Sequence, residues 1–524
     1  MTTLVDRAVE APVETTTPRS APWWLAVGAA VVVAAGVALR FLVRSHLWLD
    51  ESLSVQIARH PITQIPAALR HDGAPPLYYF LLHGWMRIFG TSDVAVRALS
   101  GIASVASLPL VYRVGRRIGG RRAGWAALVI MATSPFATHY ATETRMYSLV
   151  ALMALVGFLA LVNALEHPTV PRLAGVAAST ALLLYTHYWA IYLIAAAGVW
   201  LLWTAWRGGD GVIGRPAAIR SIAAMVAGGV AFLPWLPIFL YQAAHTGTPW
   251  ARPAGFGALV SVVEEFAGGG DERARILALV LFGLAALGLL GRAIDARYVV
   301  LDLRTQPRAR GLAAVVVGTP TLAIAAGMLS HTAFVARYTS VVFPAFCVLA
   351  GMGVTALASR RARTVVLAVA AALGLAIGIG GIFVARTQAG EFAAALKAHA
   401  RPGDVVAFCP DQLGPAVTRL LPKGLQGVTQ LTYPRGTSPA GIDWVDYGDA
   451  VRAAPVDQFA EALDARAGPA HSVWVVWGRG YRPYHTRCTA LVDDLARRRG
   501  SEQLVVRSRP IHYFEHGTLL RFGG

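Results

Sequence analysis

Apolar runs of about twenty residues recur along this chain, and no other feature constrains its fold so tightly. A helix rises 1.5 Å per residue, so a run of about that length crosses a hydrocarbon layer near 30 Å thick. The first run covers 23–43. Others follow at 94–112, 123–139, 146–165, 173–187, 189–206, 221–240, 275–292, 312–330, 337–358 and 364–385. Together they predict a polytopic α-helical membrane protein with about eleven transmembrane helices. Composition agrees: 15% of residues are charged and 55% hydrophobic, where soluble domains average roughly 25% charged. The run 23–43 lacks a basic flank and a cleavage site, so it predicts a retained first helix rather than a signal peptide. Residues 1–22, polar and rich in Thr and Pro, predict a disordered cytoplasmic tail.

The formal net charge is +18, a balance that in a soluble protein would suggest nucleic acid. Here the arginines gather in short loops between apolar runs, at Arg113–Arg122, Arg207–Arg220, Arg292–Arg310 and Arg360–Arg363. An eleven-crossing path puts all four loops on one side, and basic loops stay cytoplasmic. No nucleic-acid partner is expected. The chain reads as a multi-pass plasma-membrane protein with a cytoplasmic N-terminus and an outward-facing loop at 45–93. Arg40 and Arg44 run against the rule, and the adjacent Asp50 and Glu51 are expected to neutralise them.

After the membrane module, 23–385, the composition of 386–524 becomes that of an ordinary globular domain. Apolar runs at 405–408, 473–477 and 504–507 read as buried strands, and 391–399, 456–465 and 490–499 carry helical spacing. A C-terminal extracytoplasmic α/β domain is expected. Cys409 and Cys488 fall in it, as a disulfide or as two buried thiols; Cys347 lies inside a crossing and reads as packing. No CxxC pair supports a zinc ribbon. Trp474 and Trp477 suit either a sugar platform or the core.

Five stretches carry chemistry. Asp50 and Glu51 adjoin the first crossing, where carboxylates are costly unless they work or find partners; the plainer reading is a helix cap. His71-Asp72 precedes Pro75-Pro76, whose rigid turn explains the prolines better than the pair. In Glu143-Thr144-Arg145-Met146-Tyr147, helical spacing would put Glu143 and Tyr147 on one face and Arg145 elsewhere. His187 sits among aromatics, as a ligand or a satisfied structural residue. His331 opens the stretch that holds Arg337 and Tyr338, where an arginine can grip a phosphate bidentately or merely snorkel to water. The topology, set by other residues, puts all five stretches on one side. Carboxylates beside arginines are what glycosyl transfer from a sugar phospholipid requires, since the acceptor hydroxyl loses a proton and the leaving phosphate needs cations.

These residues resemble the GT-C superfamily of integral-membrane glycosyltransferases, in the branch with protein O-mannosyltransferases and the aminoarabinose transferase of lipid A. The motifs that carry the resemblance are Trp48-Leu49-Asp50-Glu51, His71-Asp72-Gly73-Ala74-Pro75-Pro76-Leu77, Glu143 to Tyr147, and Arg337-Tyr338 through Phe343-Pro344, spread over 23–360. The resemblance implies an inverting transfer from a polyprenyl-phosphate sugar, with Asp50 as base, Glu51 beside it, and two amphipathic helices in the first outer loop. Arg145, Arg337 and Tyr338 would hold the donor phosphate. His71, Asp72, Glu143, Tyr147, His187 and His331 would line the substrate site. No cofactor is required; a divalent metal on Asp50, Glu51 and His71 is the alternative. Protein O-mannosyltransferases carry a β-trefoil in a later loop, and this sequence has no such insertion. The Arg- and Ala-rich composition resembles that of a high-GC actinobacterium, which implies a cell-envelope glycan or glycolipid as acceptor and mannose, then arabinofuranose, as the sugar. The rival reading is a lipid-linked-sugar flippase, whose charges would sit at midplane in repeated halves.

Overall fold

The computed structural model describes residues 23–208, 213–248, 251, 254–255, 257–293, 298–330, 332–421, 425–500 and 502–523. The tail expected at 1–22 lies outside them. The chain enters on α1 (Trp23–Leu39), and α2 (Leu49–Arg59), α3 (Ile65–Leu69) and α4 (Leu77–Phe89) follow at one end of the bundle. The bundle continues through α5 (Asp93–Thr133), α6 (Pro135–Ala141), α7 (Tyr147–Glu166), α8 (Val170–Thr186), α9 (Ala190–Trp206), α10 (Arg215–Val230) and α11 (Leu236–His245). It closes with α12 (Gly257–Ala267), α13 (Glu272–Leu290), α14 (Pro307–Ser330), α15 (Phe343–Ala356) and α16 (Arg360–Phe383).

Six helices among the described residues are long and apolar enough to cross a membrane, with Arg215–His245 counted as one; α1, α8, α9 and α15 are shorter and apolar. Every apolar run expected to cross coincides with one of these helices or with an arm of α5. That helix consists of two arms, because Gly120 takes φ +82°, a left-handed conformation that glycine adopts without a steric penalty. The chain reverses there, and the two arms pack on each other: Gly124 of one meets Tyr112 and Arg116 of the other. Polar caps mark the ends: Ser92, Ser134, Asp271 and Ser359 each accept from a backbone N–H three residues on. Between α13 and α15, a β-carbon on Gly288 or Gly353 would overlap the carbonyl of Leu349 or Leu284. Small residues let these backbones touch, which is how helices associate without a hydrophobic drive.

The two ends of the bundle differ. Arg117 of α5 pairs with Glu166 of α7, and both line an apolar slot of about 320 Å³ with Pro307 and Arg308. Arg363 feels the charges of Arg122 and Arg360. A short antiparallel hairpin, β1 (Gly291–Ala293) with β2 (Val299–Leu301), lies between α13 and α14. The arginine loops therefore share one end. Arg40 does not pair with the carboxylates as expected. It is buried and donates to the Ser104 hydroxyl and to the carbonyls of Gly36, Met131 and Ala132. The Met131 and Ala132 carbonyls come free where α5 ends at Ser134 and that of Gly36 in the last turn of α1, so the cation completes the ends of both helices. Arg44 lies over the Phe383 ring at 4.9 Å.

The opposite end carries the C-terminal domain. Its first strand, β3 (Ala385–Thr387), pairs in parallel with β8 (Tyr513–Glu515). A five-stranded mixed sheet runs in the order β5 (Thr429–Thr432), β4 (Val405–Cys409), β6 (Val473–Trp477), β9 (Thr518–Phe522), β7 (Glu502–Val506). Around it lie α17 (Ala389–His399), α18 (Gly414–Arg419), α19 (Tyr447–Ala453), α20 (Val456–Ala467) and α21 (Arg487–Arg499). Every residue of β4 is buried, as a strand covered on both faces must be. Cys409 and Cys488 form a disulfide, and Cys347 is a buried free thiol. Trp474 belongs to the core, its indole N–H donating to Asp404 at 2.9 Å. The domain is fastened to the bundle. Leu49 and Leu53 of α2 join its hydrophobic core, Arg419 pairs with Asp93 at 2.9 Å, and the N–H of Trp444 donates to His71.

Candidate active site

The site begins where α2 starts. Successive residues on a helix point about 100° apart, so Asp50 and Glu51 cannot share one environment. Glu51 turns inward and is fully buried. Arg97 of α5 grips it with Nε and Nη2 at 2.7 and 2.6 Å, Thr144 N–H donates at 3.0 Å, and Arg386 of β3 stands 3.6 Å away. Burial alone would push this carboxyl up. The two guanidiniums and the Thr144 N–H outweigh it and hold the carboxyl below the ordinary range. Its oxygens are occupied, so Glu51 anchors α2 against α5 rather than standing ready for a proton.

Asp50 turns the other way. Its side chain is 14% exposed, and Oδ2 lies 3.3 Å from Arg337 Nη1 with no aligned hydrogen bond. It is the available carboxylate of the pair. Arg337 comes from a 3₁₀ turn at Ala336–Val341, and its guanidinium stands 6.0 Å from the Tyr147 ring centroid and 5.7 Å from that of Tyr338. Those two rings stack at 6.4 Å. The His187 ring lies 5.3 Å from Tyr338. Its Nδ1 accepts the Trp189 N–H at 3.1 Å, which leaves the hydrogen on Nε2 of a neutral ring.

Residues 142–146 are not helical, so the face expected for Glu143 and Tyr147 does not exist there. The turn aims Glu143 and Arg145 into the same centre. Arg145 donates to the hydroxyls of Ser54 at 3.2 Å and Tyr79 at 3.3 Å, and Tyr79 donates to Asp72 at 2.9 Å. Burial raises the Asp72 carboxyl against the pull of Arg145. Glu143 is 1% exposed, neither oxygen has a hydrogen-bond partner, and His139 Nε2 is 3.8 Å away. Burial pushes its carboxyl up to about 7 despite Arg386 and Arg337.

Asp50, Asp72, Glu143, Arg145, Tyr147, His187, Arg337 and Tyr338 thus converge. His71 does not join them: its ring is half exposed and pairs with Asp443 of the C-terminal domain at 2.9 Å. His331 lies outside the described residues. With Glu51 locked on Arg97 and His71 turned away, the trio considered for a metal is not gathered. No group of three metal-ligating side chains occurs among the described residues. Sequence reasoning missed Arg97, Arg386, Ser54 and Tyr79. Arg97 had left a signal, since a cation inside an apolar run requires an acid partner.

The fold is shared with solved membrane glycosyltransferases. Over nearly its whole length the chain resembles ArnT from Cupriavidus metallidurans bound to undecaprenyl phosphate, with a TM-score of 0.58 at 14% identity, covering 96% of this chain and 98% of that one. The apo form of the same protein matches at 0.59 and 15%, covering 95% and 97%. Arabinofuranosyltransferase AftD from Mycobacteria matches at 0.53 and 15%, covering 96% of this chain and 40% of its own. Within the chain, residues 73–240 match the family of dolichyl-phosphate-mannose-protein mannosyltransferases. That segment holds Glu143, Arg145, Tyr147 and His187. No curated protein matches the sequence.

Proposed function

We propose that this protein transfers a sugar from a polyprenyl-phosphate donor to a cell-envelope glycan or glycolipid, with inversion and with Asp50 as the general base. One observation carries the reading: Asp50 is a largely buried carboxylate whose Oδ2 lies 3.3 Å from Arg337 and has no hydrogen-bond partner, at a centre where Arg145 also converges. The acceptor hydroxyl gives its proton to Asp50 as its oxygen attacks the sugar's anomeric carbon. The carbon–oxygen bond to the phosphate breaks on the far face, and the electron pair leaves with the polyprenyl phosphate. Arg337 and Arg145 are placed to offset that charge, Tyr338 and Tyr147 flank the cations, and Asp72, Glu143 and His187 are within reach of sugar hydroxyls. The scheme needs no metal.

Mannose is favoured by the family matched at 73–240, and arabinofuranose comes next because AftD shares the fold. A polyprenyl donor accords with the undecaprenyl phosphate bound by ArnT. Basic loops stay cytoplasmic and disulfides persist in oxidising compartments, so the arginine end faces the cytoplasm while the site and the C-terminal domain face outward. The test is transfer by the purified protein in lipid, with polyprenyl-phosphomannose or polyprenyl-phosphoarabinofuranose as donor and an envelope lipid extract as acceptor. Transfer that survives Asp50→Asn removes the base assignment. Failure with every polyprenyl donor removes the enzyme reading and favours a flippase.

A further inference from the structure

Asp50 stands on the first turn of α2, and one small element of the C-terminal domain closes on both sides of it. That element is the parallel pair β3–β8. From β3, Arg386 reaches Glu51 at 3.6 Å, and donates to the Thr142 carbonyl at 2.8 Å and its hydroxyl at 2.7 Å. The Arg386 N–H donates to Ser45 at 2.7 Å, just ahead of α2. From β8, Phe514 meets the Trp48 ring edge to face at 5.4 Å. The next residue, Glu515, is 5% exposed; its carboxyl lies beside the Leu49 N–H and the Thr387 side chain, and its Oε2 has no hydrogen-bond partner. Leu49 itself lies in the core of the domain. The residues on either side of Asp50 are thus held by strands whose sequence positions lie more than 300 residues away.

We infer that Glu515 is a positioning residue for the reaction: through the Leu49 N–H it fixes the first turn of α2 and so the aim of the Asp50 carboxylate. The inference rests on the transferase reading above and adds to it a part for the C-terminal domain, which tightens the site rather than only sitting over it. Two features separate Glu515 from an ordinary helix cap. Its chain position is remote, so the contact exists only while the domain is docked. Burial, with the nearby charges of Asp50 and Glu51 adding to it, pushes its carboxyl up to about 8, so the group beside the catalytic carboxylate is neutral at neutral pH. A neutral acid can hold a backbone N–H without adding a third negative charge.

Two measurements on the full-length protein in lipid decide this. Glu515→Ala should lower kcat by about tenfold to a hundredfold with little change in donor KM, the signature of a misaimed group. Glu515→Gln keeps the shape, the neutrality and the carbonyl acceptor, and should restore most of the rate. Arg509→Ala, a surface change on the same domain, should leave both constants unchanged. The second readout needs no turnover. Amide hydrogen exchange of 47–54 should rise in Glu515→Ala and return toward wild type in Glu515→Gln, with the sheet β4–β6–β9 unaffected. Unchanged exchange at 47–54 overturns the inference, as does exchange that rises across the whole domain. A rate loss that Gln cannot restore overturns it too. If no polyprenyl donor supports transfer by the wild type, the function falls while the exchange experiment still decides the clamp.

Discussion

The two ends of the helix bundle use the same residue for opposite purposes. At one end arginines occupy short loops, and the ion pair found there, Arg117 with Glu166, has side chains 33% and 50% exposed. At the other, Arg97 is buried against a fully buried Glu51, and Arg145, Arg337 and Arg386 surround the start of α2. Water screens the first set, so individual pairs there contribute little. The second set is withdrawn from water, where an unpaired charge costs several kcal/mol. Each of those arginines must therefore face a carboxylate, a carbonyl or a hydroxyl, and the packing that meets this need also shapes a site. The lesson is that cation number says little here. Burial decides which arginines stay in contact with water and which are drawn into the candidate site.

Substitutions at the two ends should separate these roles. The largest effect belongs to Asp50→Asn, expected to lower kcat by roughly 10²–10⁴-fold, the range for a lost general base. Undecaprenyl phosphate binding, measured by calorimetry, should survive it. Next comes Arg97→Met, which strands Glu51 in the interior. It should destabilise the protein by about 3–5 kcal/mol in thermal or denaturant unfolding. A loss below about 1 kcal/mol would mean that the two ends are alike after all.

Glu143 offers a pH test. Its folded value, about 7, stands above the ordinary 4.5, so the unfolded chain gives up this proton first as pH rises. Stability from this group is therefore lost between pH 4.5 and 7 and flat above, by roughly 3 kcal/mol. Glu143→Gln removes that slope, so the variant should gain on wild type as pH rises toward 7, read as the difference in Tm across a pH series. A constant difference would place Glu143 in a wetter setting than its burial implies. The smallest effect is expected at the arginine end, where Arg117→Ala should shift stability by no more than about 1 kcal/mol and leave kcat unchanged.

Much of the fold was legible because apolar length and spacing act locally. Each run expected to cross became a helix or an arm of one, and the strands and helices expected in 386–524 coincide with β4, β6, β7, α17, α20 and α21. The site was legible in part. Asp50, Arg145 and Arg337 announced themselves as charges at the edges of apolar runs. Their directions did not. A helical reading aimed Arg145 away from Glu143, but 142–146 form a non-helical turn whose polar groups bond outward, Thr144 N–H to Glu51 among them. The expected partners of Arg40 were carboxylates, yet carbonyls at the end of an α5 arm took that place. His71 read as a site residue, and a domain hundreds of residues later claimed it through Asp443.

By itself the sequence determined that this chain lives in a membrane, which loops stay together at one end, and that acids and arginines meet at the other. Those properties depend on residue type and local period alone, and hydrocarbon enforces them strictly. Only the tertiary structure decided which of two adjacent carboxylates is anchored and which is open. That choice turns on a 100° step around α2 and on where Arg97, Arg337 and the β3–β8 pair come to rest. The partners lie between 46 and more than 400 residues from α2 along the chain. No local rule links positions so far apart; burial of charge does, by making every unpaired alternative too costly.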